Sequence, residues 1–345
     1  MKQTFVRWAF RNQPDALFSQ LGYQNRVAQN GNSSRIRDGS RYNRREQSKT
    51  MRISERLSER APFFSFEFFP PKTDEGVASL MSTIEALRPF DPAFVSVTYG
   101  AGGSDRDRPL DLARRIKHEL GVEVLAHITA SGSSADELRA MFRKLEADGI
   151  QNILALRGDP PKGTDSFVAH AAGFRYASDL VTMLEREFDF CIGGAAYPEK
   201  HPEATSFHAD LDAIEAKVAA GARFLITQLF FDNRVYFDFV ARVRARGVTV
   251  PILPGIMPIT NYDQIDRFTK MCGATIPDAL RHELDVRRGE AEAVADLGVA
   301  FATLQCVELL DGGAPGVHFY TLNKSPATRA VVSALFASRF AALRK

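Results

Sequence analysis

The sequence predicts an α/β protein, a (β/α)8 TIM barrel with a helical insertion before the eighth strand. Three observations carry the prediction. From residue 63 onward, short runs rich in Val, Ile, Phe and Leu alternate with segments of helical spacing, eight times over. Eight such units in a body of about 285 residues match the size of a closed parallel barrel. The rival architecture, a doubly wound open sheet, would usually show a Gly-rich dinucleotide turn after its first strand, and none stands there.

Taken in order, strand 63–68 ends in Phe66-Glu67-Phe68-Phe69-Pro70-Pro71 and leads into helix 74–88. Strand 93–98 delivers Thr98-Tyr99-Gly100-Ala101-Gly102-Gly103-Ser104 before helix 108–120, and strand 122–128 delivers His127-Ile128-Thr129 before helix 134–148. Strand 152–157 ends in Arg157-Gly158-Asp159 ahead of helix 175–187, and strand 191–197 in Tyr197-Pro198-Glu199-Lys200-His201 ahead of helix 208–220. Strand 223–230 carries Thr227-Gln228 and precedes helix 233–246; strand 250–256 precedes helix 261–271. The insertion, residues 277–311, is helical, and strand 317–322 with helix 326–340 completes the count. In such a barrel function sits at the carboxyl ends of the strands, and here nearly every strand brings a polar group to that end.

The near-neutral charge of the whole chain, 44 basic against 42 acidic residues, hides a split. Residues 1–50 hold ten basic and three acidic residues, and the other 295 are net acidic. Residues 1–60 are therefore read as a basic extension and 61–345 as the catalytic barrel. Residues 21–50, rich in Asn, Gln, Ser, Arg and Gly, are expected to be disordered. The Arg-rich start resembles a transit peptide, but translation from Met51 is the favoured expectation. An acidic body without a basic face argues against a nucleic-acid partner. No uninterrupted apolar run approaches membrane-spanning length, so a protein without membrane association is expected. Cys191, Cys272 and Cys306 are far apart and form no C-x-x-C, which suits buried thiols in the cytoplasm.

Glu67 is the most informative residue. Flanked by Phe63, Phe66, Phe68 and Phe69, its carboxylate should be desolvated at the barrel mouth, raising its pKa and suiting it to donate a proton. The bland alternative is an outward-facing strand residue paired with a lysine. Arg157 and Asp159 lie two apart and can share one face, although Asp159 reads equally well as a loop cap before Pro160. His127 and His201 with Asp159 could serve a metal-dependent barrel hydrolase. No His-x-His or Glu-x-x-His pair supports a cage, and hydrogen bonding to a cofactor is the better reading. The Gly-rich loop from Gly100 could present N–H groups to phosphate or be a tight turn.

At these residues the chain resembles the 5,10-methylenetetrahydrofolate reductase family. The matching segments are SFEFFPPKT (65–73), FVSVTYGAGGSDRDR (94–108), AHIT (126–129), LALRGDPP (154–161), YASDLV (176–181), AAYPEKHPEA (195–204), ITQLFFD (226–232), LPGIMPITNY (253–262) and HFYTLN (318–323). They follow the family's order and cover the body from about residue 61, in the manner of the compact bacterial members. The resemblance implies a flavoprotein that binds FAD without a Rossmann fingerprint. FAD would be contacted by Thr98, Tyr99, Ala101, His127, Arg157, Gly158, Asp159, Tyr176, Ala177, Tyr197, His201, Asp210 and Lys217, with Lys217 and Arg157 toward the pyrophosphate and adenosine side.

Glu67 becomes the general acid that protonates the folate's bridging nitrogen, and Asp159 stabilises the resulting cation. Gln228 would pair with the pterin, Phe268 would stack on folate or nicotinamide, and Gln264 and Lys324 would complete a substrate site that also includes Thr98. NADH or NADPH and folate would take turns at one flavin face in ping-pong order, in a homo-oligomer. The chain departs from the family pattern at Ala213 and Ala216, where an Asn and an Arg can face the cofactor. It departs again at Lys324, where Arg is expected; both changes predict weaker contacts.

Overall fold

The computed structural model describes residues 51–58, 62–98, 107–160, 167–324 and 326–342, with the side chains of the last helix described to residue 337. Nine parallel strand segments form one sheet: β1 Phe63–Phe68, β2 Phe94–Val97, β3 Val124–Thr129, β4 Asn152–Leu156, β5 Cys191–Ala196, β6 Phe224–Thr227, β7 Ile252–Leu253, β8 Gly255–Ile256 and β9 Gly316–Tyr320. The order β7-β6-β5-β4-β3-β2-β1-β9-β8 brings the two ends of the sheet to neighbouring residues. β7 pairs with β6 and β8 with β9, so these two segments are halves of one rung on either side of Pro254. Proline has no N–H to give a ladder, yet its carbonyl accepts from His318 N at 3.0 Å, so the rung turns from one neighbour to the other at this residue. Counted this way, the barrel has the eight rungs the sequence predicts.

The helices are α1 Ile53–Leu57, α2 Asp74–Leu87, α3 Asp107–Arg115 with a π turn continuing over Ile116–Leu120, α4 Ala135–Ala147, α5 Ala177–Glu187, α6 Phe207–Ala220, α7 Asn233–Ala245, α8 Tyr262–Cys272, α9 Asp278–Val286, α10 Ala291–Asp311 and α11 Pro326–Ala342. Local chemistry sets their starts. Thr73, Ser134, Ser206 and Asn261 each accept a backbone N–H of the first turn with the side chain, and Ser134 with Glu137 closes a capping box. The insertion is therefore two helices, α9 and α10.

Strand alternation divides the core. Phe64, Phe66 and Phe68 point outward into the large cluster between sheet and helices. Phe63, Phe94, Leu125, Leu154, Cys191, Phe224, Ile226 and Leu253 fill the barrel interior, joined by Ile53 and Leu57 of α1. α1 is locked to the first residues of the strands: Ile53 N donates to Asn152 Oδ1 at 2.8 Å, and Ser54 N to Cys191 Sγ at 3.4 Å. The boundary drawn at residue 60 thus falls beyond a segment that packs as part of the barrel; its apolar pair Ile53 and Leu57 is too short a signal to separate from the polar tail before it.

α10 is long and apolar enough to cross a bilayer by length and composition. In this fold it is a wall helix, burying Val294, Gly298, Ala302, Gln305, Cys306 and Leu309. Any Cβ at Gly298 would collide with the Ile259 carbonyl, so this close approach demands glycine.

Candidate active site

The inward positions turn polar toward the carboxyl ends of the strands. On β1 the inward series is Phe63, Ser65, Glu67; on β2 it is Phe94, Ser96, Thr98. On β3 Leu125 is followed by His127, and on β9 Gly316 by His318 and Tyr320. Glu67 is 7% exposed. Its Oε2 lies 3.2 Å from His318 Nε2 and 3.7 Å from His127 Nε2. His318, fully buried, continues through Nδ1 to Ser65 Oγ at 2.8 Å, and its ring stacks on Phe94 below with centroids 5.8 Å apart. Tyr320 donates its hydroxyl to Thr227 O at 2.7 Å across the mouth.

This corrects the expectation for Glu67. Burial does push its carboxyl up, but His127 and the hydrogen bond and charge of His318 outweigh it, and the carboxyl lies below its usual range. The phenylalanines beside it in sequence are not its surroundings, because the pleat sends Phe66 and Phe68 to the other side of the sheet. The outward-facing, lysine-paired alternative is equally displaced by the buried histidine contacts. His127 is pushed down to about 4 by burial, against the opposing pull of Glu67, and is uncharged at neutral pH. Its Nε2 has no hydrogen-bond partner, an orphaned polar atom in a buried position. The Ser96 hydroxyl stands near enough to favour the Glu67 anion without meeting hydrogen-bond geometry.

A second group lies around the ends of β4 and β5. Arg157 makes a two-pronged ion pair with Glu203, both contacts 2.7 Å, and covers the Phe167 ring at 4.6 Å. Gly158 has φ +91°, and a Cβ there would come within 2.6 Å of Ser131 Cβ. Asp159 follows it, exposed. Tyr197 packs edge-on against His201 at 4.6 Å; burial, reinforced by Asp159 and Asp210, pushes the phenol up to about 12. Asp210, buried at the start of α6, accepts from His201 N at 3.1 Å. His201 is lowered by burial and then by Arg157.

Lys217 is turned to the Ala195 carbonyl over the outer side of Gly194, and burial lowers its ammonium to about 8. That places it between α6 and the sheet rather than on the rim expected for a pyrophosphate contact. Ala213 and Ala216 of the same helix are exposed.

Thr98 is half-buried just past β2, its N–H on Phe68 O at 3.0 Å. Tyr176, 54% exposed, and Ala177 open α5. Gln228 follows β6, with its amide oxygen taken by Leu229 N at 2.8 Å. Gln264 and Phe268 lie half-buried on α8, and Lys324 is exposed after β9. Tyr99 and Ala101 lie outside the described residues. His127, His201 and Asp159 do not form a metal-ligand set: among the described residues no group of three or more His, Cys, Asp or Glu side chains is arranged to hold a metal ion. The residues that sequence reasoning missed are His318, Ser65, Tyr320 and Glu203. Parity in the matching segment HFYTLN, which puts His318 and Tyr320 on one side of β9, was the available signal.

The model of the methylenetetrahydrofolate reductase family matches residues 52–336. The chain belongs to the methylenetetrahydrofolate reductase family. It is 41% identical over 271 residues to the 5,10-methylenetetrahydrofolate reductase of Escherichia coli, covering 79% of this chain and 90% of that one. It is 40% identical over 271 residues to methylenetetrahydrofolate reductase (NADH) 1 of Arabidopsis thaliana, covering 75% of this chain. There it spans 46% of the relative's length, so the chain covers about half of such plant members. Among solved structures, a Clostridium thermocellum protein that binds two copies of 5-methyl-5,6,7,8-tetrahydrofolic acid superposes with TM-score 0.56 at 18% identity, over 82% of this chain and 97% of that one. At that identity the likeness speaks for the barrel fold alone.

Proposed function

We propose that the protein reduces 5,10-methylenetetrahydrofolate to 5-methyltetrahydrofolate, with NADH or NADPH as reductant and FAD as the bound carrier. One observation carries the reading: a buried carboxylate, Glu67, hydrogen-bonded to a buried imidazole at the polar mouth of a barrel of this family. The plant relatives' names make NADH the first nicotinamide to try.

The residues present fit a flavin. The unpartnered Nε2 of neutral His127 needs a polar ligand edge, Gly158 lets the turn after β4 pack against Ser131, and Arg157, Tyr197 and His201 stand on the adjoining loops. These residues would hold FAD together with Thr98, Asp159, Tyr176, Ala177, Asp210 and, outside the described residues, Tyr99 and Ala101. Lys217 would take part only by leaving the Ala195 carbonyl. When bound, FAD supplies the hydride store that lets nicotinamide and folate react in turn, a ping-pong order.

Opening the folate's five-membered ring requires a proton on its bridging nitrogen. Glu67 is the group to deliver it. Its lowered carboxyl makes it an anion when alone at neutral pH, so the proton must reach Oε2 in the folate complex, where the ligand excludes water and favours the neutral carboxyl. The exposed carboxylate of Asp159 would stabilise the cation that ring opening leaves. Gln228, its amide oxygen engaged by Leu229 N–H, offers its amide nitrogen to the pterin. Phe268, Gln264 and Lys324 would hold the remainder of the folate. The three thiols, free and separated, suit a reducing cytoplasm, and the reading includes a homo-oligomer.

Purified protein supplied with FAD should be yellow, bleach on anaerobic NADH or NADPH, and recolour on 5,10-methylenetetrahydrofolate. Protein that takes up no FAD, or whose bleached form is not reoxidised by the folate, overturns the reading.

A further inference from the structure

The turn that follows β9 grips the end of β1 through side chains. Leu322 and Asn323 both adopt left-handed backbone, φ 52° and 60°, a conformation that favours Asn and Gly. From there the Asn323 side-chain amide meets the Phe69 peptide at both ends. Phe69 N donates to Oδ1 at 2.8 Å, and Nδ2 donates to Phe69 O at 2.7 Å. Two residues earlier, Thr321 Oγ1 donates to Glu67 O at 2.6 Å, and Asn323 N donates to that same hydroxyl at 3.2 Å. One turn thus fixes the backbone of Glu67 and of Phe69, where the ladder with β9 has ended at Glu67 and Tyr320. Parity along β1 puts Phe69 on the Glu67 side, and its ring is 42% exposed, whereas Phe68 between them is fully buried. An exposed aromatic ring on a backbone held at both its N–H and its carbonyl is a rigid apolar surface beside the buried carboxylate.

We infer that Asn323 is a positioning residue: its amide clamp sets the β1 end so that the Glu67 carboxylate and the Phe69 ring address one ligand, Phe69 packing against a planar ring of the folate. The inference rests on the reading of the mouth as a folate site.

Asn323→Gly tests it cleanly, because glycine keeps the left-handed turn while removing the clamp. Amide hydrogen exchange at Phe69 should quicken by at least about tenfold as its acceptor is lost. The folate half-reaction should slow by roughly tenfold, and the nicotinamide half-reaction should stay within about twofold. Asn323→Asp, which keeps the acceptor for Phe69 N–H but opposes the Phe69 carbonyl with a carboxylate, should fall between; it carries the test if the glycine variant does not fold. Phe69→Leu should raise KM for the folate with little change in kcat. Faster exchange at Phe69 with both half-reactions unchanged, or with both slowed equally, overturns the positioning role. If wild-type protein reduces no folate at all, the proposed function fails instead, and Phe69 exchange alone then tests the clamp.

Discussion

The two halves of the barrel interior use the same strands and the same pleat for opposite ends. The floor, at the amino ends of the strands, is apolar: Phe63, Phe94, Leu125, Leu154 and Phe224, closed by Ile53 and Leu57. One or two inward positions further along, β1, β2 and β3 present Glu67, Ser96 and His127, and β9 adds His318 beside them. His318 joins the halves, its ring stacked on Phe94 and its Nε2 on Glu67. The floor shows what a barrel needs to be stable. The mouth keeps groups that stability does not ask for, an orphaned imidazole nitrogen and a buried carboxylate among them.

The contrast can be broken first at the floor. Ile53, 1% exposed, should cost about 3–4 kcal/mol of stability as Ile53→Ala, by lost burial and residual cavity. Denaturant unfolding measures this, while the half-reaction rates of the folded fraction should be unchanged. A change in those rates would mean that floor and mouth are coupled.

The next effect belongs to the mouth. His127 sits near 4 in the fold against an ordinary 6.5. Between these values the unfolded chain binds the proton first, so stability rises with pH and is lost as pH falls from about 6.5 toward 4. The full swing is on the order of 2–3 kcal/mol. Glu67, lowered from 4.5, adds a loss in the same direction at the acid end. His127→Asn should flatten the upper part of this limb in unfolding curves taken across pH.

The smallest effect is at Lys217, lowered from 10.5 to about 8. The unfolded chain again holds the proton longer, so stability should rise between about pH 8 and 10.5. Allowing for partial exposure, the rise is about 1 kcal/mol, and Lys217→Met should abolish it. If the same variant also retains FAD as well as wild type, Lys217 does not hold the cofactor.

Much of this division was legible from residue order, because alternation in a strand and helical spacing after it are local properties. The strand from Phe63 to Phe68 falls where expected, and the insertion over 277–311 is helical as expected, although it divides into two helices. What could not be read locally is what closure brings together. Glu67 meets His318 only because the last strand pairs with the first, 251 residues away, so its sequence neighbours pointed to the wrong environment. The break of one rung at Pro254 depends likewise on which strands flank it. The candidate site was legible as a set of strand-end residues; the hydrogen-bond partners that tune them were not.

The central claim is that Glu67 supplies a proton to the folate and nothing to the nicotinamide step. Glu67→Gln, loaded with FAD and mixed anaerobically with each substrate in turn, tests it most directly. The account predicts that flavin bleaching by NADH or NADPH stays within about twofold of wild type, while reoxidation by 5,10-methylenetetrahydrofolate falls by about a thousandfold. Equal loss of both half-reactions, or a folate step that survives the substitution, would contradict it.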